Sequence, residues 1–364
     1  MPDNFEDKHY SDYFKKLENN ISSDVKRKTK SKSGVKPSRK YRVIRIRPAF
    51  LISVVAVITV VVIVACIARK AAPETPKIQT PVAEETTSEK KTVKLPVYAE
   101  YTDETAEITD ESDSKNIIVI NTTDNTVVAA RDAETPVSPA STTKVMTILT
   151  AVENCDDLNS TFTMSYEVTD PLYLSEATLA GFSDGESVTV KDLLYGAILP
   201  SGADATVGLA IKIAGSEENF VKLMNKKVKE LNLKNTHFSN TSGLYSEENY
   251  TSAHDMAVIL QAAISNEVCK EVLSTYKYTT ASTPQHPEGI ELSSTLFSYM
   301  YGTEPETATI LGGKTGYINE SGYCIATFGE NNTTKNEYVT VTFGGSSLWP
   351  AFYGQIELYK EYAK

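Results

Sequence analysis

The sequence is poor in cysteine throughout and poor in positive charge beyond its first 48 residues. The 364 residues include four Cys and no Cys-x-x-Cys pair, which excludes a disulfide-scaffold mini-protein, a zinc ribbon and a thioredoxin-type redox site. The whole chain has 47 acidic and 36 basic residues, of which 6 and 14 lie in residues 1–48, so 41 acidic and 22 basic residues follow. This acidic body lacks the basic surface that binds nucleic acid, and no nucleic-acid partner is expected.

Residues 49–68 (AFLISVVAVITVVVIVACIA) form one run of 20 residues without a charge. At about 1.5 Å per residue, such a helix is about 30 Å long, the thickness of a bilayer core. The sequence therefore predicts a single transmembrane helix. The 14 basic residues before it predict a cytoplasmic tail over 1–48 and an extracytoplasmic location for the rest of the chain.

Two segments are predicted outside the membrane. Residues 69–111 are rich in Pro, Thr and Glu and read as a semi-extended stalk, because they offer too few large apolar side chains to fold alone. Packing of the far end of this stalk, from about Pro96, on the folded domain is left open. Residues 112–364 are predicted to form that domain. Its three cysteines, Cys155, Cys269 and Cys324, are expected to be buried free thiols, with one disulfide left open.

The periodicity of residues 112–364 predicts strands at both ends of this domain and helices between them. The strands form an early hairpin and a late meander, over Asn116–Asn121, Thr126–Ala130, Thr307–Tyr317, Tyr323–Gly329 and Glu337–Gly344. The helices cover Ser141–Cys155, Lys191–Leu199, Ala203–Ala214, a segment capped by Ser216, Thr251–Ser265 and Trp349–Tyr362. The predicted fold class is α+β, with one five-stranded antiparallel sheet, flanking helices and an inserted, mainly helical lobe.

The first candidate motif is Ser141-Thr142-Thr143-Lys144, at the start of an apolar helix. Residues i and i+3 share a helix face, so a neutral lysine amine could take the proton of the serine hydroxyl and make it a nucleophile. The Ser-x-x-Lys pattern alone is weak, because it occurs six times in the chain. By itself, it is also compatible with an N-cap serine beside a surface lysine.

Two further segments carry groups that could act on a ligand. Lys314-Thr315-Gly316 occurs once, late in a predicted strand, where its donors would suit a substrate carboxylate; the alternative is a turn with a solvated lysine. Residues 199–204 (LPSGAD) directly precede a predicted helix, and alone they are typical of a helix cap within a loop.

In this order, the three motifs resemble those of the penicillin-recognising serine enzymes. Further segments extend the similarity to the D-alanyl-D-alanine carboxypeptidases, the low-molecular-weight penicillin-binding proteins: PASTTKVMT, VTVKDLLYGAILPSGADAT, ENFVKLMNKKVKELNLKNTHFSNTSGL, SAHDMA and LGGKTGYINESGYC. The resemblance covers about residues 112–364 and implies a β-lactamase/DD-peptidase-like fold. Members of the family often carry a further β-domain and a C-terminal membrane helix; here residues 49–68 are expected to supply the anchor.

The resemblance implies acyl transfer on a peptidoglycan stem peptide. Ser141 would attack the carbonyl of the penultimate D-Ala, the last D-Ala would leave, and water would hydrolyse the ester. Lys144 would be the general base, with its pKa lowered by burial and by repulsion from Lys314. Ser201 would relay a proton to the leaving amine. β-Lactam antibiotics are expected to be covalent inhibitors, and neither a metal nor an organic cofactor is required.

The third motif is expected to bind substrate. Lys314 and Thr315, together with Gly316, would hold the terminal carboxylate, and the N–H groups of Ser141 and Tyr317 would form the oxyanion hole. His237, His254 and His286 have no role in this scheme and are expected at the surface or in packing.

One departure from the family pattern bears on activity. The second motif usually has Asn at its third position, where this chain has Ala203, whose side chain forms no hydrogen bond. This leaves open a weakened or inactive relative that binds wall peptides or penicillin without turnover. A class A β-lactamase is the less favoured reading, because no Glu lies in a convincing loop context for deacylation. The sequence does not separate a carboxypeptidase from an endopeptidase that cuts cross-links.

Overall fold

The computed structural model describes residues 98–109, 112–300, 302 and 305–364. The predicted cytoplasmic tail, transmembrane helix and most of the stalk lie outside these residues. Within the described ranges, no helix combines the length and the apolar character that crossing a bilayer requires.

Six strands form one sheet in the part of the chain that the structure describes. Their spatial order runs from one edge to the other as β1 (Glu100–Glu107), β3 (Thr126–Arg131), β2 (Asn116–Asn121), β10 (Glu337–Gly345), β9 (Gly322–Asn331) and β8 (Ala308–Ile318). The pairs β3–β2, β2–β10, β10–β9 and β9–β8 are all antiparallel, as predicted. A hairpin joins β2 to β3 in sequence, and a meander joins β8, β9 and β10. The early hairpin and the late meander therefore meet where β2 pairs with β10.

The prediction of a purely antiparallel, five-stranded sheet was wrong at its edge. A sixth strand, β1, pairs parallel with β3 and makes the sheet mixed. It comes from residues 100–107, in the far end of the predicted stalk, and its pairing with β3 confirms the packing on the folded domain that the sequence had left open from about Pro96. The strand is mostly exposed and rich in Asp and Glu, and it lacks the apolar alternation that predicts strands. Backbone pairing with β3 holds it in place, and that pairing leaves no signal in the side chains.

The helices between β3 and β8 match the predicted lobe. They are α1 (Thr143–Glu153), α2 (Tyr166–Leu174), α3 (Val190–Ile198), α4 (Ala203–Ala214), α5 (Glu217–Glu230), α6 (Ala253–Ile264), α7 (Glu267–Ser274) and α8 (Thr295–Met300), and α9 (Leu348–Tyr362) follows the sheet. The predicted cap is present, because the Ser216 hydroxyl accepts a hydrogen bond from the Asn219 N–H at 3.1 Å. The sequence did not predict α2, α7, α8 or two small two-stranded antiparallel sheets, β4–β5 (Thr161–Thr163, Ser187–Thr189) and β6–β7 (Lys277–Thr279, Glu291–Ser293).

The central strands are buried on both faces, which explains their continuous apolar sequence. All six residues of β2 are buried. Ile118 and Ile120 belong to the core shared with the helical lobe, whereas Ile117 and Val119 pack in a second core with Phe352 of α9. Because strand side chains alternate, each face of β2 serves a different core.

The three described cysteines form no disulfide. Cys269 and Cys324 are buried free thiols, and Cys155 is free and partly exposed. Two of the three therefore match the expectation, and the alternative of a disulfide among these residues is wrong.

The segment that leads into β1 is fastened to helix α6 by aromatic and polar contacts. The Tyr98 hydroxyl donates to Asp255 Oδ1 at 2.6 Å, and the Tyr98 ring lies 4.0 Å from the His254 ring between centroids. Asp255 is fully buried and also accepts the N–H groups of Lys234 and Asn235. The Tyr98 hydroxyl therefore satisfies part of a buried carboxylate that cannot reach water.

We predict that Tyr98→Phe lowers the free energy of unfolding by about 1–2 kcal/mol, because it removes a donor to a buried charge while keeping the ring. Urea titration of both proteins measures this difference. Tyr101→Phe is the matched control, since the Tyr101 hydroxyl lies 3.2 Å from Glu134 Oε1 in an exposed contact and its loss should cost less. Equal midpoints for the wild type and Tyr98→Phe would contradict the proposed fastening.

Candidate active site

Ser141 lies where the chain turns into the first helix of the lobe. A single 3-10 turn, Ala140–Thr142, leads directly into α1, so Ser141 stands at a helix start as predicted. The Thr142 hydroxyl donates to the Pro139 carbonyl at 2.6 Å and holds the turn. Ala140 has a φ of 48°, a left-handed conformation that costs energy in a residue other than glycine. The backbone before Ser141 is thus held in a specific, strained shape.

Lys144 is buried beneath Ser141 and contacts it directly. Its Nζ lies 2.8 Å from Ser141 Oγ and 2.6 Å from the carbonyl oxygen of Ser242, and the residue is 2% exposed. Burial lowers the pKa of Lys144 to about 7, against an opposing effect of the nearby Asp204 charge. A neutral amine here can donate to Ser242 and direct its lone pair at the Ser141 hydroxyl. The pair can therefore activate Ser141 as a nucleophile.

Ser242 and Gly243, to which the sequence analysis assigned no role, lie against the contact between Lys144 and Ser141. Gly243 has a φ of 83°, and a Cβ at this position would lie 1.8 Å from the Ala140 carbonyl oxygen. Only glycine allows the segment to approach Ala140 so closely and to aim the Ser242 carbonyl at Lys144. The available signal was the Ser-Gly pair in SNTSGL, which does not reveal its spatial neighbour.

The Lys314-Thr315-Gly316 motif lies on edge strand β8, against the Ser141 turn. A Cβ on Gly316 would lie 2.7 Å from the Ser141 nitrogen and 3.2 Å from the Thr142 nitrogen, so this strand requires glycine at its point of contact. The Thr315 hydroxyl lies 3.0 Å from the Thr295 hydroxyl. Close backbone packing therefore brings the first and third motifs together.

Lys314 is buried near Lys144. Its Nζ donates to the Thr315 carbonyl at 2.8 Å, and it is 1% exposed. Burial lowers the pKa of Lys314 well below its usual range, and the charge of Lys144 lowers it further. Burial is the main cause of the lowered pKa of Lys144 as well, and the predicted repulsion by Lys314 is not among its causes.

The second motif lies in the loop between α3 and α4. Ser201 has a φ of 69°, another left-handed conformation outside glycine, and is 8% exposed. Ala203 begins α4, and its N–H donates to the Thr178 carbonyl at 2.8 Å. The next residue, Asp204, is fully buried, does not line the cleft, and accepts the N–H groups of Ala180 and Gly181 at 2.7 and 3.2 Å. The Asp204 carboxylate therefore anchors the loop and does not replace an Asn side chain at position 203.

One cleft of about 660 Å³ collects most of the predicted residues. Its lining includes Ser141, Lys144, Ser201, Ala203 and Tyr317. Lys314, Thr315 and Gly316 lie beside it along β8 but do not form its described walls. The arrangement offers a nucleophile, a buried base and a second hydroxyl to one ligand.

The three described histidines lie outside the cleft, each in contact with another part of the fold. His254 Nδ1 contacts Glu134 at 2.6 Å, His286 Nδ1 contacts Glu186 at 2.9 Å, and His237 Nδ1 contacts the Glu248 carbonyl at 2.6 Å. None of the three histidines lines the cleft. The described part of the chain has no cluster of three or more His, Cys, Asp or Glu residues that could hold a metal ion.

Comparison with known sequences finds one family. The family model described as D-alanyl-D-alanine carboxypeptidase, Peptidase S11, matches residues 102–347. The D-alanyl-D-alanine carboxypeptidase DacF of Bacillus subtilis is 32% identical over 241 residues, which are 65% of this chain and 58% of the relative. DacA of Escherichia coli, another D-alanyl-D-alanine carboxypeptidase, is 36% identical over 159 residues, or 42% of this chain and 39% of the relative. The chain thus matches less than two thirds of the length of both relatives.

Solved structures agree with this fold. The crystal structure of the Streptomyces K15 DD-transpeptidase has a TM-score of 0.61 at 26% identity and covers 69% of this chain and 98% of that one. Penicillin-binding protein 5 from Haemophilus influenzae has a TM-score of 0.58 at 24% identity, covering 69% of this chain and 70% of its own, and supports the fold alone.

We predict that Lys144 titrates near pH 7, because burial disfavours its charged form. The side-chain resonances of isotopically labelled lysines, followed against pH, measure this directly. The Lys144 signal is the one that disappears in Lys144→Ala. A midpoint for that signal near the usual lysine value of about 10.4 would show that the amine stays charged at neutral pH and cannot serve as a base.

Proposed function

The chain belongs to the D-alanyl-D-alanine carboxypeptidase family, and from this we propose that it removes the terminal D-Ala from peptidoglycan stem peptides through an acyl-enzyme on Ser141. The observation that carries the proposal is the 2.8 Å contact between Ser141 Oγ and the buried Lys144 amine. A serine hydroxyl is a weak nucleophile, and an adjacent neutral amine supplies the base that it needs. The family, the cleft and this pair point to the same chemistry.

In the acylation step, the Ser141 hydroxyl gives its proton to neutral Lys144 while Oγ bonds to the carbonyl carbon of the penultimate D-Ala. The resulting oxyanion accepts hydrogen bonds from the backbone N–H groups of Ser141 and Tyr317, in the arrangement expected for the family. Its collapse breaks the C–N bond. The proton on Lys144 passes through Ser201 to the leaving amine, and free D-Ala departs.

Substrate binding opposes the effect of burial on the pKa of Lys314. The terminal carboxylate lies near Lys314 and Thr315, and its negative charge favours the protonated form of the lysine amine. In deacylation, water takes the place of Ser141 as the nucleophile, and Lys144 again accepts a proton. Water gives a proton to Lys144 and attacks the ester carbonyl, and Ser141 Oγ leaves with that proton.

The same nucleophile accounts for β-lactams as expected inhibitors. Attack of Ser141 on the ring carbonyl opens the lactam and forms an ester. The leaving nitrogen remains tethered to the acyl group, so it stays in the cleft after the bond breaks.

The proposal extends to the location of the enzyme. Residues 49–68 would form the membrane anchor, with the tail 1–48 in the cytoplasm and the catalytic domain at the outer cell surface beside its peptidoglycan substrate. The support is the uncharged run and the 14 basic residues before it. Protease added to intact protoplasts should remove the domain; a protected domain would contradict this orientation.

We predict that the protein releases one D-Ala per molecule of an acyl-pentapeptide ending in D-Ala-D-Ala and that Ser141→Ala abolishes the release. Chromatography of both products measures the reaction and separates a carboxypeptidase from an endopeptidase, which would instead cut a cross-linked dimer. Thr143→Ser, at the first residue of α1, is a control that keeps a hydroxyl. Release of D-Ala that persists in Ser141→Ala would refute the assigned nucleophile.

We predict that Ala203→Asn raises kcat/KM for D-Ala release, because an amide here would restore a hydrogen bond to the substrate. One such bond is worth roughly 1–3 kcal/mol, or about 5- to 150-fold if it acts mainly in the transition state. Ala203→Leu is the control for volume without an amide. If Ala203→Asn leaves a high wild-type turnover unchanged, another group already provides the missing contact.

A further inference from the structure

A row of aromatic side chains leads from the mouth of the cleft to helix α9. Tyr317 lines the cleft and is exposed, and its ring centroid lies 4.6 Å from that of Tyr323 on β9. On α9, Trp349 and Tyr353 are both exposed, and their ring centroids lie 6.3 Å apart. Tyr299 of α8 packs edge-on against Trp349 at 6.0 Å between centroids. We call these five residues the aromatic strip.

The two ends of the aromatic strip are joined by packing. A Cβ added to Gly345 would lie 3.2 Å from Tyr323 Cβ and 2.8 Å from Ala351 Cβ, so Tyr323 lies beside the start of α9. Burial raises the pKa of Tyr323, and Tyr317 and Tyr299 raise it further, so both tyrosines lie near it. A cavity of about 490 Å³ also borders both Tyr317 and Gly345. The aromatic strip is therefore continuous with the catalytic cleft.

The aromatic strip carries no charge at neutral pH, and acidic residues flank its α9 end. The cavity of about 320 Å³ beside Tyr353 has three acidic residues in its described lining, Asp113, Glu357 and Glu361, and no basic one. These carboxylates repel the anionic lipid headgroups that exposed Trp and Tyr side chains meet at a membrane surface. A neutral ligand with apolar faces fits the strip better than a membrane does.

Sugar rings have the chemistry that this surface requires. A pyranose ring presents C–H groups on its faces and polar groups around its edge, so its face can stack on an aromatic ring. The hydroxyl of a tyrosine and the N–H of a tryptophan can then bond the polar edge. Several aromatic rings along one strip suit a chain of sugars rather than a single one. In the proposed function, the stem peptide in the cleft is attached to such a chain.

We propose that the aromatic strip binds the glycan chain of peptidoglycan, with N-acetylated sugar rings stacked on Trp349 and Tyr353 while a stem peptide of the same polymer occupies the cleft. This inference rests on the proposed function and adds a second binding surface for the same substrate. It gives the enzyme a contact with the polymer that a free pentapeptide cannot make.

The test uses Trp349, the only tryptophan in the chain, whose fluorescence therefore reports on the aromatic strip. A hexamer of β-1,4-linked N-acetylglucosamine should change the fluorescence of the full-length Ser141→Ala protein saturably in neutral detergent. Tyr353→Ala should weaken this binding about two- to tenfold, the scale of one aromatic pair contact. Tyr173→Ala is the matched control, because Tyr173 is exposed on α2 and lies outside the strip.

A hexamer that leaves the fluorescence unchanged would overturn the glycan site. Equal weakening of binding in Tyr173→Ala and Tyr353→Ala would overturn it as well, since the loss would not be specific to the aromatic strip. If mixed micelles that contain phosphatidylglycerol change the fluorescence and the hexamer does not, the strip binds a lipid surface instead.

Kinetics separate this inference from the proposed function. The wild type should release D-Ala from a free pentapeptide and from one attached to a glycan chain, and Tyr353→Ala should lower kcat/KM for the attached one alone. If Tyr353→Ala affects both substrates alike or neither, the glycan site is refuted while the proposed function stands. If the wild type releases D-Ala from neither but the hexamer binds at Trp349, the sugar site stands and the proposed function fails.

Discussion

The burial of one lysine amine beneath a serine hydroxyl is the constraint that organises this site. Lys144 has lost almost all of its contact with water and keeps two polar neighbours, Ser141 Oγ and the Ser242 carbonyl. Loss of solvation makes the neutral amine accessible near pH 7, and the same burial requires that the surrounding backbone pack closely. Gly243 and Gly316 meet that requirement, because a Cβ at either position would collide with the Ser141 turn. The close backbone packing that buries Lys144 is therefore also what makes its neutral amine available as a base.

The sequence predicted the elements whose signals lie in their own side chains. The helix after Ser141, the buried strand Asn116–Asn121 and the Ser216 cap could all be read from apolar spacing and local hydrogen-bonding chemistry. Strand β1 could not be predicted in this way, because most of its side chains are polar and exposed. It is held as a strand by backbone pairing with β3. Ser242 was missed for a similar reason. Its carbonyl acts on Lys144 across 98 residues of sequence, and a backbone oxygen carries no residue-specific signal.

The motif residues themselves were recognisable from their order, but their geometry was not. Spacing on a helix suggested that Ser141 and Lys144 meet, and they do, at 2.8 Å. The sequence could not show that Lys314 is buried with its Nζ on the Thr315 carbonyl, because burial depends on the packing of β8 against the Ser141 turn.

The central claim is that Ser141 is the residue that becomes acylated, and intact-protein mass spectrometry after brief exposure to benzylpenicillin tests it most directly. The account predicts a single adduct with the mass of the whole inhibitor, mapped by peptide analysis to Ser141, and no adduct in Ser141→Ala. It also predicts that Lys144→Ala slows the appearance of the adduct strongly, because the hydroxyl then has no base. An adduct on another residue, or one that forms equally fast without Lys144, would contradict the account.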